Sequence, residues 1–257
     1  MFANERRNYI KNLLLQNKRL DVLRVSSQLG VSEVTIRKDL DFLEKNGFLI
    51  RTHGGAVLKE NPVASPAEEP PSSHIQAITR TLAKLIQDND QIYLGSDPIC
   101  TVLASQLLSK QNLTVITNNV TASLKFAGHS NIRIILPGGT LYQEQNYCIL
   151  KGRETQNFLS EIRYDKAVIS ADAVRLNTGF YLRDAEVCDI YRTVLAQSDQ
   201  KILAVNGECF NKNAFYHLAS LNDFDIVVSD EQMPEEFLSS FSNSSVKVFT
   251  TYDFNDV

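Results

Sequence analysis

At 257 residues, 43% of them hydrophobic and 22% charged, the chain has room for one large domain or for a small one joined to a larger one, and its composition excludes a mostly disordered, collagen-like or fibrous protein. No apolar run approaches the roughly 18 residues a membrane span needs, and Met1 to Arg19 carries charges at Glu5, Arg6, Arg7, Lys11, Lys18 and Arg19 where a secretory signal would be continuously apolar, so a cytoplasmic protein without membrane association is expected. The formal net charge of −4 hides an asymmetry: residues 1–59 hold 11 Lys and Arg against 6 Asp and Glu, and residues 60–257 hold 15 against 24, as expected of a small basic module that meets a polyanion and a larger acidic body that avoids it.

Asn4 to Asn17 sets Tyr9, Ile10, Leu13 and Leu14 at helical spacing and predicts a short amphipathic helix. Val22 to Leu29 reads as a second helix, stopped by Gly30. Ser32 is a good N-cap for a third, in which Ile36, Leu40 and Leu43 are the apolar positions and Asn46-Gly47 marks the end. The period then changes, and Phe48 to Arg51 and Ala56 to Lys59 form short extended segments around Thr52-His53-Gly54-Gly55, a small β-hairpin. Glu60 to Ser73 holds four of the seven prolines and three glutamates but no glycine or aromatic residue. It reads as a linker favouring extended polyproline II, a semi-rigid spacer of up to roughly 40 Å.

Beyond the linker, strand-like apolar runs occur at Gln91 to Leu94, Leu113 to Thr117, Ile132 to Leu136, Ala167 to Ala171, Ile202 to Val205, Ile226 to Val228 and Val246 to Phe249. Helical segments at Ile75 to Gln87, Thr101 to Leu108 and Ala185 to Gln197 alternate with them, which implies an α/β fold with a mainly parallel sheet. Ligands in such sheets sit beyond the carboxyl ends of the strands, so the loops after Leu94, Ile116, Leu136 and Ala171 are the places for a site. The expected organisation is residues 1–59 for DNA binding, 60–73 as linker, and 74–257 as an α/β domain for sensing and oligomerisation. Cys100, Cys148, Cys188 and Cys209 are too scattered for a zinc site or a disulfide framework, and no metal, cofactor or catalytic residue is expected.

Three helices and a hairpin make a winged helix-turn-helix the economical reading of residues 1–59, with the third helix in the major groove of double-stranded DNA. With Ile36, Leu40 and Leu43 facing inward, Ser32, Glu33, Thr35, Arg37 and Lys38 are available to DNA. Arg37 can donate two hydrogen bonds to guanine or clamp a phosphate, Lys38 suits a phosphate, and Ser32 and Thr35 can reach either. Arg51 and His53 flank Gly54-Gly55, where a tight turn brings amides and a cation to the backbone or minor groove. For each of these residues the plainer alternative is a solvated face, a cap or a structural turn.

The run Val31-Ser32-Glu33-Val34-Thr35-Ile36-Arg37-Lys38-Asp39-Leu40, then Leu43-Glu44, Gly47 and Arg51-Thr52-His53-Gly54-Gly55-Ala56, resembles the N-terminal signature of the DeoR family of bacterial transcriptional regulators. The likeness continues through Thr114 to Asn119, Gly138-Gly139, Gly152, Asp165-Lys166-Ala167, Ser170-Ala171-Asp172 and Ala185-Glu186, in the order of that family's sensor domain. It implies a repressor of carbohydrate-use or sugar-transport genes, released by a phosphorylated sugar, and a sensor similar in fold to ribose-5-phosphate isomerase. The effector candidates are Ser96, Thr101, Thr117, Asn118, Asn119, Gly138, Gly139, Asp172, Arg183 and Glu186, which supply amides, small polar groups and a cation for phosphate or hydroxyls. A cap or turn bond is the alternative for each polar one.

Two departures bear on the ligand. Where the family has Asp-Ser-Gly-Thr-Thr, this chain has Gly95-Ser96-Asp97-Pro98-Ile99-Cys100-Thr101, which adds a negative charge and removes an amide donor from a phosphate nest. Where the family has Asp-Ser-Ser-Lys-Phe, this chain has Asn206-Gly207-Glu208-Cys209-Phe210, so Cys209 stands at the lysine position. The sensor is therefore read three ways: for a less anionic ligand, for a sugar phosphate with a rebuilt anchor, or as a retained assembly scaffold. The expected function is operator binding by a homodimer or higher oligomer, without enzymatic activity. The alternatives are an isomerase-like enzyme with a regulatory DNA-binding module, using Asp172 and Glu186 as acid and base, and a regulator answering to a protein partner.

Overall fold

The computed structural model describes residues 3–45, 49–58, 71–144 and 147–250. The predicted Asn46-Gly47 stop, Phe48 and Lys59 of the predicted strands, and residues 60–70 of the predicted linker lie outside the described residues. The chain divides into two compact units, residues 1–67 and 68–257.

The first unit runs α1 (Ala3–Asn17), β1 (Arg19–Asp21), α2 (Val22–Leu29), α3 (Glu33–Lys45), β2 (Leu49–Thr52) and β3 (Gly55–Leu58). Ile10 and Leu14 of α1, Val22 and Val25 of α2, and Ile36, Leu40 and Leu43 of α3 close on Leu49 and Ala56 in one core. The helix ends follow the local chemistry. Asp21 accepts from the Arg24 amide at 3.1 Å to open α2, and Gly30, at φ +62°, closes it by donating to Ser26 and Ser27 carbonyls. The Ser32 hydroxyl accepts from the Thr35 amide at 3.3 Å and opens α3. Asp39, buried on α3, receives the Nε of Arg6 at 2.5 Å and of Arg7 at 2.9 Å, so two cations compensate one buried carboxylate and tie α1 to α3. The predicted hairpin is one part of a three-stranded sheet in the order β1-β3-β2. Lys18, at φ +63°, turns the chain so that Arg19–Asp21 pairs antiparallel with β3, a strand too short to show alternation in the sequence.

The second unit runs α4 (Ser73–Leu85), β4 (Gln91–Leu94), α5 (Pro98–Ala104), β5 (Leu113–Ile116), α6 (Val120–Lys125), β6 (Ile132–Ile135), β7 (Thr140–Gln143), β8 (Cys148–Lys151) and α7 (Arg153–Ser160). It continues with β9 (Tyr164–Ser170), β10 (Ala173–Arg175), β11 (Gly179–Leu182), α8 (Ala185–Ala196), β12 (Ser198–Ala204), β13 (Tyr216–Ala219), β14 (Ile226–Val228), α9 (Glu235–Ser242) and β15 (Lys247–Phe249). Seven strands form a sheet in the order β15-β14-β12-β9-β4-β5-β6, and every pairing is parallel. Alternate residues serve opposite faces. Ile92 and Leu94 of β4, Val168 of β9 and Ile202 of β12 join Ile78, Leu82 and Leu103 of α4 and α5, while Tyr93, Ala167, Ile169 and Leu203 join Tyr191, Val194, Phe237 and Phe241 of α8 and α9. Burial on both faces explains why these strands read as continuous apolar runs.

All seven predicted strands lie in this sheet, two with longer polar beginnings at Tyr164-Asp165-Lys166 and Ser198 to Lys201. Helix α4 opens two residues before Ile75 because Ser72 accepts from the Ile75 amide at 3.3 Å. Helix α5 opens at Pro98, three residues before the predicted start, with Asp97 as its cap. The antiparallel ribbon β7–β8 and the small sheet β10-β11-β13, which packs against α8, have no counterpart in the expected strand list.

Candidate nucleic-acid interface and effector site

Helix α3 presents its candidate residues outward. Arg37 and Lys38 are exposed, and the Ser32 and Thr35 hydroxyls lie 2.9 Å apart at the helix start. Arg37 Nη2 reaches Glu33 Oε2 at 3.0 Å across one exposed turn, a pair worth about 0.3–0.5 kcal/mol that a base edge or phosphate readily replaces. Arg51 is held differently. It donates to Asp41 and to the Arg37 carbonyl, its amide donates to Glu44 Oε1 at 2.7 Å, and its buried Nε has no hydrogen-bond partner, so it ties β2 to α3. His53 and Gly54 stand exposed at the tip of the turn, and Gly54 needs its φ of +86° there. Gly55 is buried. A Cβ on it would lie 2.1 Å from the Leu20 carbonyl oxygen, so its smallness serves the β1–β3 approach. The motif reading missed a cavity of about 730 Å³ lined by Asn17, Arg19, Arg24, Gln28 and His53 among others, in which Arg19 and Arg24 are exposed.

At the strand ends of the second unit most polar candidates are buried and already engaged. Asn118 accepts from the Tyr93 hydroxyl at 2.6 Å and donates to the Leu150 carbonyl at 2.9 Å. Asn119 donates to Thr101 Oγ1 at 2.8 Å and accepts from the Ala122 amide at 2.9 Å, capping α6. Thr117 Oγ1 accepts from the Asn119 amide, Thr101 Oγ1 donates to the Asp97 carbonyl, and the Ser96 amide donates to the Tyr191 hydroxyl. Gly138 offers its carbonyl to Thr155 Oγ1 at 2.7 Å, and Gly139, at φ +147°, would place a Cβ 2.1 Å from that same oxygen. Both glycines therefore seat a loop against α7. Asp172 accepts from the Arg183 amide at 2.8 Å, and Arg183 and Glu186 side chains are exposed.

The two departures have clear structural outcomes. Asp97 Oδ1 accepts from the Cys100 amide at 2.9 Å, so the start of α5 is closed by the chain's own carboxylate. Burial pushes the Asp97 pKa above the usual carboxylate range, against the pull of hydrogen bonds from Cys100, Ser170 and Tyr191. Cys209 closes a single 3-10 turn (Gly207–Cys209) with its thiol 2.9 Å from Asn206 Oδ1, and burial, aided by Asp172 and Glu208, pushes it up to about 11.

The ribbon brings groups that the strand-end rule did not name. Lys151, 5% exposed, sits 2.6 Å from Asp184 Oδ2 and 4.3 Å from the Tyr142 ring. Asp184 Oδ1 also caps α8 through the Val187 amide at 3.0 Å. Burial acts to raise the Asp184 pKa, but the hydrogen bonds from Lys151 and Val187 prevail and lower it. The Tyr147 hydroxyl is pushed up chiefly by burial, and then by the charges of Asp97, Glu144, Asp172 and Asp184. The signal in the sequence was a lysine ending the otherwise apolar Cys148-Ile149-Leu150 run before Gly152. Among the described residues no group of three or more His, Cys, Asp or Glu side chains is arranged to hold a metal, and no helix is long and apolar enough to cross a membrane.

Comparison with known proteins agrees across both units. Residues 6–61 match the DeoR-like helix-turn-helix domain and residues 72–231 match the DeoR C terminal sensor domain. The putative aga operon transcriptional repressor of Escherichia coli O157:H7 is 26% identical over 96% of this chain and 93% of its own. The glycerol-3-phosphate regulon repressor of Escherichia coli K12 is 24% identical over 96% and 99%, and the HTH-type transcriptional repressor GlcR of Bacillus subtilis is 27% identical over 98% and 97%. Among solved structures, ribose 5-phosphate isomerase A of Methanocaldococcus jannaschii overlaps 53% of each chain at 14% identity and a TM-score of 0.39.

Proposed function

The chain belongs to the DeoR family of transcriptional regulators, and from that premise we propose that it represses a carbohydrate-use or sugar-transport operon by binding operator DNA and is released by a small sugar-derived effector. One observation carries the reading: α3 offers Ser32, Thr35, Arg37 and Lys38 outward from a helix whose opposite side is locked in the core by Ile36, Leu40 and Leu43. Residues 1–59 read DNA, 74–257 sense and assemble, and 60–73 space the two. Arg37 reads a guanine, Ser32, Thr35 and Lys38 set the register on phosphates or base edges, Glu33 holds Arg37 until DNA arrives, and His53 with Gly54 meets the backbone or minor groove. The protein works as a homo-oligomer in the cytoplasm, one recognition helix per half-site. Asp172, bonded to a backbone amide, and Glu186, exposed, favour binding over acid–base chemistry.

The test starts from duplexes selected by the wild-type chain out of a random pool. The double variant Thr35→Ala, Arg37→Ala keeps its helix content and loses discrimination between selected and random duplex, with about 1–3 kcal/mol lost per bidentate base contact. Unchanged selectivity removes α3 as the reading element. Light scattering of the DNA-bound complex checks assembly, and one chain per operator contradicts the oligomer.

A further inference from the structure

Among the described residues of α3, two large apolar side chains stand exposed, Val34 and Phe42. Phe42, towards the end of the helix, lies under the Arg7 guanidinium, whose carbon is 3.8 Å from the ring centre. Val34, in the first turn, is 60% exposed. A lone exposed valine is ordinary on a protein surface, so its place on the helix has to carry its meaning.

That place follows from the helical repeat. At 3.6 residues per turn, Val34 stands about 160° to 180° round the helix from Ile36 and Leu43, which are buried in the core. Going round the outward side, the order is Arg37, Val34, Lys38 and Thr35, at steps of about 60°, 40° and 60°. A duplex that meets Arg37 on one side and Thr35 on the other therefore covers Val34 between them. Covering it with a base amino group or a phosphate strips that group of water and gives nothing back. The major groove offers one apolar feature that repays burial, the 5-methyl group of thymine. The branched side chain also suits the task, because a valine in a helix holds one strongly preferred rotamer and loses little freedom on contact.

Resting on the reading that α3 lies in the major groove, we infer that Val34 packs on a thymine methyl and sets the operator sequence beside the guanine read by Arg37. Residues three apart on a helix hold their Cβ atoms about 5–6 Å apart, and successive bases are stacked at about 3.4 Å. The thymine therefore lies one or two base pairs from that guanine.

The experiment takes duplexes that the full chain selects from an unmodified random pool and replaces their thymines by uracil, one at a time. Uracil pairs with adenine through the same groups and lacks only the methyl. Fluorescence anisotropy at fixed salt reads Kd. Replacing one thymine per half-site, within two base pairs of the guanine at which Arg37→Ala relaxes selectivity, is expected to weaken wild-type binding about fourfold. That is about 0.8 kcal/mol, one methyl group withdrawn from contact. Val34→Ala removes both γ-methyl groups at an exposed position, leaves the melting temperature of the free protein unchanged, and brings the cost of the same replacement below about twofold. A uracil penalty that persists undiminished in Val34→Ala overturns the inference and gives the methyl to another side chain. No uracil penalty at any position, while Thr35→Ala, Arg37→Ala still loses discrimination, overturns it and leaves α3 as the reading element. Discrimination intact in that double variant removes the reading of α3 and the role of Val34 with it.

Discussion

The two units treat the polar residues of their motifs in opposite ways. On α3, Arg37 and Lys38 are exposed, and the Arg37 guanidinium pairs with the solvent-facing Glu33. At the strand ends, Thr117, Asn118 and Asn119 are completely buried, and each uses its side chain inside the protein. A family signature therefore mixes two kinds of residue: those that meet a partner and those that build the surface from which others meet it. Burial together with a satisfied hydrogen-bond set separates the kinds.

Asn118→Ala tests this separation with the largest effect. It leaves the Tyr93 hydroxyl and the Leu150 carbonyl without their partner in the interior, at about 1–3 kcal/mol for each unsatisfied group, and should lower the denaturant midpoint of the second unit severely. Thr35→Ala, at a half-buried motif residue whose hydroxyl meets only the exposed Ser32 hydroxyl among the described residues, should change stability by less than about 0.5 kcal/mol while weakening operator selectivity. Equal stability losses in the two variants would erase the distinction.

Adjacent glycines sharpen it next. A Cβ on Gly139 meets Thr155 Oγ1 at 2.1 Å and the Lys151 carbonyl at 2.8 Å from a backbone at φ +147°, whereas a Cβ on Gly138 meets nothing within 4 Å. Gly139→Ala should cost about 1–3 kcal/mol by overpacking alone, and Gly138→Ala should be nearly neutral in a urea titration. A neutral Gly139→Ala would mean the loop is free to move, as a ligand-binding loop must be.

The carboxylates at the starts of α5 and α8 divide by the sign of their pH dependence. Burial raises the Asp97 pKa, so the folded chain keeps that proton to higher pH than the unfolded chain. The associated stability is full below the unfolded value of about 3.9 and is lost as pH rises through the raised value. The Asp184 pKa is lowered on balance, burial notwithstanding, so its stability is present above about 3.9 and is lost as pH falls through the lowered value. Asp97→Asn keeps the cap and should gain stability relative to wild type as pH rises from 4 towards neutrality. Asp184→Asn should instead lose stability relative to wild type over the climb up to about pH 4, below that window, and show no further change above it. Thermal melts from about pH 2 to neutrality read both, and parallel profiles would contradict the two environments.

The parallel sheet was legible because a strand covered on both faces reads as an unbroken apolar run: Ile226–Val228 is only three residues, yet it stands out. The antiparallel pieces were hidden by the same logic. Thr140–Gln143 is exposed throughout, and Tyr216–Ala219 is half exposed, so neither carries a run. At the strand ends the sequence named loops whose polar side chains the protein largely uses for itself. Asn118 and Thr117 look like ligand groups until their partners are seen, while Lys151 sits at the end of a strand that pairs outside the main sheet and so escaped a rule about that sheet's loops. The departures at Asp97 and Cys209 were readable as losses of anion affinity; that Asp97 would itself become a helix cap needed the position of the Cys100 amide.

The smallest expected effect lies within the first unit, between Arg37, proposed to read sequence, and Arg24, expected to feel only charge. Arg24 lines the cavity beside the wing with Arg19, Gln28 and His53, and neither it nor Arg19 has an ion-pair partner among the described residues. The first helix of a helix-turn-helix crosses the phosphate backbone, and Arg24 stands exposed in the first turn of α2, where Asp21 has already taken its amide. A single phosphate contact there adds affinity without information. Arg24→Ala should therefore weaken selected and random duplexes by the same factor, under about tenfold, and should reduce the slope of log K against log salt by about 0.9. Arg37→Ala should act on selected duplexes far more than on random ones. An Arg24→Ala variant that lost selectivity with an unchanged salt slope would make α2 a reader of bases and move part of the recognition off α3.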